Sequence, residues 1–287
     1  MRHAGGIFLF VLCILLAAAP VAAQDCANAL GVSRTIEIDT TGGPWFGAPQ
    51  GDPNFLAPGE VVLSFDDGPG PQSTRAILAA LAAECTKATF FVVGEMAVAY
   101  SDVVREIDAQ GHTIGTHTWS HPNLRRLSDE KMKAQIESAF TAAETGVGHP
   151  VAPFFRYPYL SHTQASAAYL QSRNIAQFAI DIDSFDWRTR NPQRVVRSVA
   201  TSLAHHDRGI ILLHDIHPST AAALPSILAL LKDKGFKVVQ LKAKAPVETV
   251  AVSQAPPSSQ PHYAGPSRRR VVHAKPSVLS WPWPAGW

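Results

Sequence analysis

Val61-Val62-Leu63-Ser64-Phe65-Asp66-Asp67-Gly68-Pro69 is an apolar run that stops at two carboxylates and a Gly-Pro turn. Five residues rich in Val, Leu and Phe suit a buried strand, and Asp, Gly and Pro suit the loop after it. Working outward, the same pattern recurs. Strand-like runs are expected at residues 88–93, 112–118, 154–155, 176–182, 210–213 and 236–241. Between them lie helical spacings: residues 74–84 (Ile77, Leu78, Leu81), and residues 102–110 (Val103, Val104, Ile107), closed by Gly111. A further helix starts at a Ser128 cap with Asp129 and Glu130 in its first turn and Met132, Ile136 and Phe140 as its buried stripe. Residues 163–173, 192–204 and 221–234 complete the set, the last stopped by Gly235. Strands alternating with helices predict an α/β fold with a parallel sheet. About seven strand-helix units close most naturally as a (β/α) barrel, with an open doubly wound sheet as the alternative. No Gly-rich dinucleotide loop follows an early strand, which weakens the second.

The two ends of the 287-residue chain differ from this middle. Residues 1–23 read as a secretory signal peptide: Arg2 and His3, an apolar run over residues 7–19, then the small residues Val21-Ala22-Ala23. The run is short for a membrane anchor. It predicts a secreted or periplasmic protein with no stable anchor after its removal. Residues 24–60 are expected to pack on the barrel, and residues 61–245 to form the catalytic domain. From residue 246 to 287, Pro, Ser, Ala and Gln dominate, with a basic knot at Arg268-Arg269-Arg270. Such a composition cannot repay its ordering entropy, so a disordered tail is expected. A net charge of +2 offers no basic stripe for nucleic acid. Cys26 and Cys85 remain after signal removal, an even pair that permits one disulfide in an exported protein, or two separate thiols.

Polar residues gather where the strands end. Asp66 and Asp67 follow the first run, and His117 and His121 follow the third. Arg156, Tyr157, Pro158 and Tyr159 come after Phe155; Asp183, Asp186 and Trp187 come after the run near Ile180; and His214 and Asp215 come after Leu213. In a parallel barrel these ends meet at one face, where active sites lie. His117 and His121, four residues apart, can present two imidazoles to one side, and with Asp67 they make the two-histidine, one-carboxylate set of a catalytic zinc. Alone, the histidine pair would be read as surface or cap residues, and Asp-Asp-Gly-Pro as a polar turn. Adjacent carboxylates on a strand point opposite ways, so one is expected to bind metal and the other to act as a base. His112, His149, His162, His205, His206 and His217 have no such company and are given no role.

The runs 64–69 (SFDDGP), 117–121 (HTWSH), 156–159 (RYPY), 183–187 (DSFDW) and 212–215 (LLHD) resemble, in order, the five motifs of the polysaccharide deacetylases, carbohydrate esterases of family four that share the NodB homology domain. The resemblance spans about residues 61–241. It implies a distorted (β/α) barrel and one divalent metal, most often zinc, with Co, Mn or Ni as substitutes. It implies Asp67, His117 and His121 as metal ligands, Asp66 as catalytic base and His214 as the acid that protonates the leaving amine. Arg156 would pair with the base, Asp186 with the acid, and the Tyr159 backbone N–H would donate to an oxyanion. Pro158, Trp187 and Leu212 would contact substrate, the last two as walls of the acetyl pocket. Leu160 stands where the family often has Gly. The implied substrate is an N-acetylated glycan built on N-acetylglucosamine: peptidoglycan, a chitin-like oligomer or an exopolysaccharide. An O-acetyl xylan-type esterase and a non-catalytic glycan-binding module are the competing readings.

Overall fold

The computed structural model describes residues 26–52 and 54–248, together with Met1. The expected signal peptide, Met1 aside, and the tail beyond residue 248 lie outside the described residues. Among the described residues, no helix is long and apolar enough to cross a membrane.

The chain runs β1 (Arg34–Ile38), β2 (Trp45–Phe46), β3 (Glu60–Asp66), α1 (Ser73–Ala83), β4 (Thr89–Val92), α2 (Gly94–Ala99), α3 (Ser101–Ala109) and β5 (Thr113–Thr116). It continues through α4 (Asp129–Val147), β6 (Phe154–Phe155), α5 (Gln164–Ser172), β7 (Ala176–Phe178), β8 (Ile182–Asp183), α6 (Pro192–Leu203), β9 (Gly209–His214), α7 (Pro218–Asp233) and β10 (Lys237–Ala243). All ladders are parallel, in the order β2-β7-β6-β5-β4-β3-β9-β8. Among the described residues no ladder joins β8 to β2 or β7. The chain itself crosses that seam, with the Ala179 N–H donating to Phe46 O and the Asp181 N–H to Ile210 O. The result is a distorted (β/α) barrel with a broken wall.

Alternation along the strands sorts the core into two shells. Val62, Phe91, Phe154, Ala176, Phe178 and Ile210 point inward and, with Val239 and Leu241 of β10, fill the barrel. Val61, Leu63, Phe65, Phe90, Ile211 and Leu213 point outward under the helices. β10 pairs with the start of β3 at Glu60 and Val61, whereas β4 pairs with its end at residues 64–66. β10 therefore wedges beneath the ring, and β1 pairs along its other edge. With one end plugged by apolar side chains, the C-terminal strand ends are left as the open face.

Several sequence expectations change in detail. The run 176–182 is two short strands, because the chain leaves β7 to cross the seam before β8. α2 was not anticipated: six residues are too few to show a helical period. Ser128 sits at the N-cap of α4, but its side chain accepts no capping hydrogen bond. Residues 24–60 are more than a covering, since β1 and β2 are members of the sheet. Order also runs past residue 246: Val247 is buried, and its N–H donates to Val151 O. Cys26 and Cys85 are joined by a disulfide, with Cα atoms 5.8 Å apart.

Candidate active site

The turn after β3 sets up the site. Asp66 is the last residue of the strand, and Asp67 has φ 74°. That left-handed residue turns the Asp67 side chain to the same side as Asp66. The strand-based expectation that adjacent carboxylates diverge therefore fails here, because the strand ends between them. Asp67 Oδ1 lies 3.3 Å from His121 Nε2 and 3.6 Å from His117 Nε2, while Asp66 Oδ2 is 3.9 Å from His117 Nε2. His117 and His121 sit on an irregular loop after β5, not on a helical turn. Thr118 (φ 67°) and His121 (φ 56°) bend the backbone so that both rings face Asp67.

One ligand atom from each of Asp67, His117 and His121 fits within 4.8 Å of the others. His117 Nδ1–H donates to Arg156 O at 2.7 Å, which leaves Nε2 with a lone pair facing Asp67. Asp67 Oδ1 is buried and has no hydrogen-bond partner. An orphaned carboxylate oxygen facing two imidazoles is costly unless a cation joins them, so the three residues fit a divalent ion. Burial pushes Asp67 up, but His121, His214 and His117 outweigh it and hold the carboxylate below its ordinary value. Burial drives both histidines of this group down, His117 far below its usual value, and so keeps them in the neutral form that metal binding would require.

Asp66 is gripped from the other side. Arg156 Nη1–H donates to Asp66 Oδ1 at 2.7 Å and to Ser64 Oγ at 2.9 Å, and Nη2–H donates to Ala179 O at 3.2 Å. The guanidinium lies 4.2 Å from the centre of the Phe91 ring, a cation–π contact inside the barrel. Burial lifts Asp66 to about 6, with Arg156 pulling against it. A carboxylate poised there suits a general base.

A second dyad stands at the end of β9. His214 Nδ1–H donates to Asp186 Oδ1 at 2.7 Å, and the His214 backbone N–H to Asp186 Oδ2, also at 2.7 Å. The Thr220 hydroxyl donates to the same Oδ2 at 2.6 Å. Burial pushes His214 down, but the Asp186 charge outweighs it and lifts the imidazole to about 10, while Asp186 itself falls to about 2. The His214 imidazole is therefore charged near neutral pH. Beside it, Asp215 is a buried carboxyl that burial raises to about 7. The Thr74 hydroxyl donates to it at 2.6 Å. A Cβ built on Gly68 would fall 2.1 Å from Asp215 Oδ2, so only glycine lets the metal-side turn close over that carboxyl.

Six of the eight described non-glycine residues at positive φ lie on these loops: Asp67, Thr118, His121, Tyr159, Leu160 and Phe185. Each such residue costs about 1–3 kcal/mol, and clustered strain of this kind marks functional sites. Apart from Met1 and Val98, the exposed large apolar residues among those described are Tyr159, Leu160, Phe185 and Trp187, at 39–43%. They form a rim. The Tyr159 ring packs on His121 at 4.7 Å, and Arg188 lies over the Trp187 ring. Leu212 is one inward position below His214 on β9, and Pro158 is buried at the turn that presents Tyr159. The structure therefore brings every residue singled out from the five motifs to one face. Sequence reasoning passed over Ser64, Phe91, Thr220 and His217. Ser64 and His217 lay inside or just after a motif and were legible as near neighbours; Phe91 and Thr220 carried no signal.

A family model described as polysaccharide deacetylase matches residues 56–178. Asp186 and His214 lie beyond that match, so their membership of the site rests on the geometry. The chain is 33% identical over 181 residues to the peptidoglycan-N-acetylglucosamine deacetylase PgdA of Listeria monocytogenes, covering 63% of this chain and 38% of that protein. The chain therefore spans well under half the length of that relative. It is 30% identical over 164 residues to a chitooligosaccharide deacetylase of Azorhizobium caulinodans, covering 57% of this chain and 77% of that one. Among solved structures, a peptidoglycan deacetylase of Bdellovibrio bacteriovorus superposes with a TM-score of 0.69 at 32% identity, covering 76% of this chain and 61% of that one.

Proposed function

The chain belongs to the polysaccharide deacetylase family, and from that premise we propose that it is an exported, metal-dependent hydrolase that removes N-acetyl groups from N-acetylglucosamine units of a polysaccharide or oligosaccharide. The observation that carries this reading is the buried Asp67–His117–His121 group with an arginine-held carboxylate on one side and a carboxylate-held imidazole on the other. A site with a base and a loaded acid flanking one cation position matches what amide hydrolysis demands: an attacking water must lose a proton and an amine must gain one.

A divalent ion bound by Asp67, His117 and His121, most simply zinc, would polarise the amide carbonyl and acidify the attacking water. Asp66 takes a proton from that water as the C–O bond forms. Arg156, itself fixed by Ser64, Ala179 and Phe91, aims the carboxylate. The backbone N–H of Tyr159 donates to the oxygen that gains charge, a contribution of a few kcal/mol for a donor of this kind. As the C–N bond breaks, His214 gives its proton to the leaving nitrogen, and Asp186 stabilises the imidazolium beforehand. Trp187 and Leu212 wall the acetyl group, and Pro158 shapes the turn beside it. The products are acetate and a free amino sugar.

The apolar run at residues 7–19 supports export, and peptidoglycan, chitin-like oligomers and exopolysaccharide all meet the chemistry. The test is acetate release from a panel of N- and O-acetylated glycans, with and without a chelator. Chelator-sensitive release from N-acetylated glycans is expected. Release from O-acetyl xylan alone would favour the esterase reading, and no release from any glycan would favour a binding module.

A further inference from the structure

His217 stands three residues after His214, at the N-cap of α7, on the same open face. Its backbone N–H donates to His214 O at 3.4 Å, and its carbonyl accepts from Thr220 and Ala221 N–H. Its ring centre lies 5.8 Å from that of His214, at 50°. The residue is 7% exposed, as Asp67 is. No described residue hydrogen-bonds its ring nitrogens. Unlike Asp67 Oδ1, Arg156 Nε and Asp215 Oδ1, its ring nitrogens are not sealed from solvent, so they can meet a group that enters by the open face. An imidazole this close to His214, with accessible nitrogens and no protein partner for them, points to a partner that arrives with the substrate.

We propose that His217 is a substrate-contacting residue whose imidazole hydrogen-bonds a hydroxyl of the sugar ring that carries the reacting acetamido group. This rests on the deacetylase reading. The chemistry favours a hydroxyl for three reasons. The ring stands outside the Asp67–His117–His121 group, so a metal is not its partner. Burial lowers His217 to about 4; Asp186 opposes that, and His214 and Arg190 reinforce it, so the ring is neutral near pH 7. A neutral imidazole offers one donor and one acceptor, as a hydroxyl does, whereas it gives an anionic group only half of what it needs. Finally, the leaving nitrogen belongs to His214. A side chain one ring away from it on the same face meets a neighbouring substituent of the same sugar.

The test compares wild type with H217F, which keeps a planar ring and removes both nitrogens, and with H217Q and H217N, which keep a donor and an acceptor. Each is assayed on an N-acetylglucosamine oligosaccharide and on an aryl acetate, which has no sugar hydroxyl, with metal content and Tm measured alongside. H217F should lose about tenfold in kcat/KM on the oligosaccharide, the value of one substrate hydrogen bond, and far less on the aryl acetate. H217Q or H217N should recover part of the loss. Equal losses on both substrates, no loss on the oligosaccharide, or a glycan-specific loss that neither polar variant relieves would each overturn the assignment. Wild type that releases acetate from no glycan would sink the deacetylase reading and take this assignment with it. An active wild type with an unaffected H217F would sink the His217 role alone.

Discussion

Arg156→Met should destabilise the chelated protein strongly at alkaline pH and weakly in acid. Arg156 is fully buried and makes the 2.7 Å ion pair that offsets the burial of Asp66. Removing one partner of such a pair costs about 3–5 kcal/mol, because the other charge is left uncompensated. In a domain of this size that corresponds to about 10 °C in Tm. Asp66 stands at about 6, above the value of about 3.9 expected in the unfolded chain. Its ionisation therefore opposes folding, and stability contributed by this group falls as pH climbs through that window. The variant extends the window upward, since nothing remains to favour the charged form. Thermal or denaturant unfolding at about pH 8 should show nearly the whole penalty, and at about pH 5, where Asp66 is protonated in both proteins, only a fraction of it. Adding Asp66→Asn to Arg156→Met should restore at least half of the loss, because no charge is then buried alone. Equal penalties at both pH values, or strictly additive losses in the double variant, would refute the account of Arg156 as the counter-charge of Asp66.

His117→Ala or His121→Ala should abolish retention of a divalent ion while the barrel still unfolds cooperatively, as read by elemental analysis and calorimetry; full metal content in either variant would contradict the ligand assignment. Asp66→Asn should lower turnover on all substrates by roughly 10²–10⁴-fold with metal retained. His214→Ala should lose most amide hydrolysis and keep a larger share of aryl-acetate hydrolysis, because an aryl oxide leaves unaided; equal losses would remove His214 from the acid role. Reduction of Cys26–Cys85, which closes a 59-residue separation, should cost about 4 kcal/mol in the chain-entropy description, visible as a drop in denaturation midpoint. Gly68→Ala should impair both metal retention and stability, since its Cβ meets the Asp215 carboxyl, and Asp215→Ala should relieve it.

The sequence carried the strand-helix alternation because buried parallel strands are nearly uniformly apolar and therefore conspicuous, as in residues 61–65 and 210–213. It missed β1, which has exposed residues on one edge, and β2, which has only two residues and takes its strand character from pairing with β7. At the site, the motif residues were legible as types at strand ends. Their relative orientation was not. Asp66 and Asp67 face the same way only because Asp67 adopts a left-handed conformation, which residue identity alone does not announce. The support for Arg156 comes from Phe91, two strands away in sequence order from β6, and from a carbonyl on the seam-crossing segment. Such partners come from pairing order and register, which no local pattern encodes. His217 was passed over for a related reason: without geometry, one histidine three residues from another is as easily a helix cap as a ligand for substrate.

The pairing of β1 with β10 sets an order on how the molecule can be assembled. Ser33 and Val238, joined by hydrogen bonds at the edge of this ladder, are 205 residues apart. A chain that emerges from its N-terminus first must hold residues 34–38 without their native neighbour until almost all of the barrel has been delivered. Closing so long a loop is entropically late, and sheets built from distant segments form slowly. The Cys26–Cys85 bond joins residues available much earlier, so it can tether the waiting strand to α1 before its berth exists. Oxidation of the cysteine pair and the plugging of the barrel floor would then be successive events, and the catalytic face would reach its final shape only after the last strand had crossed.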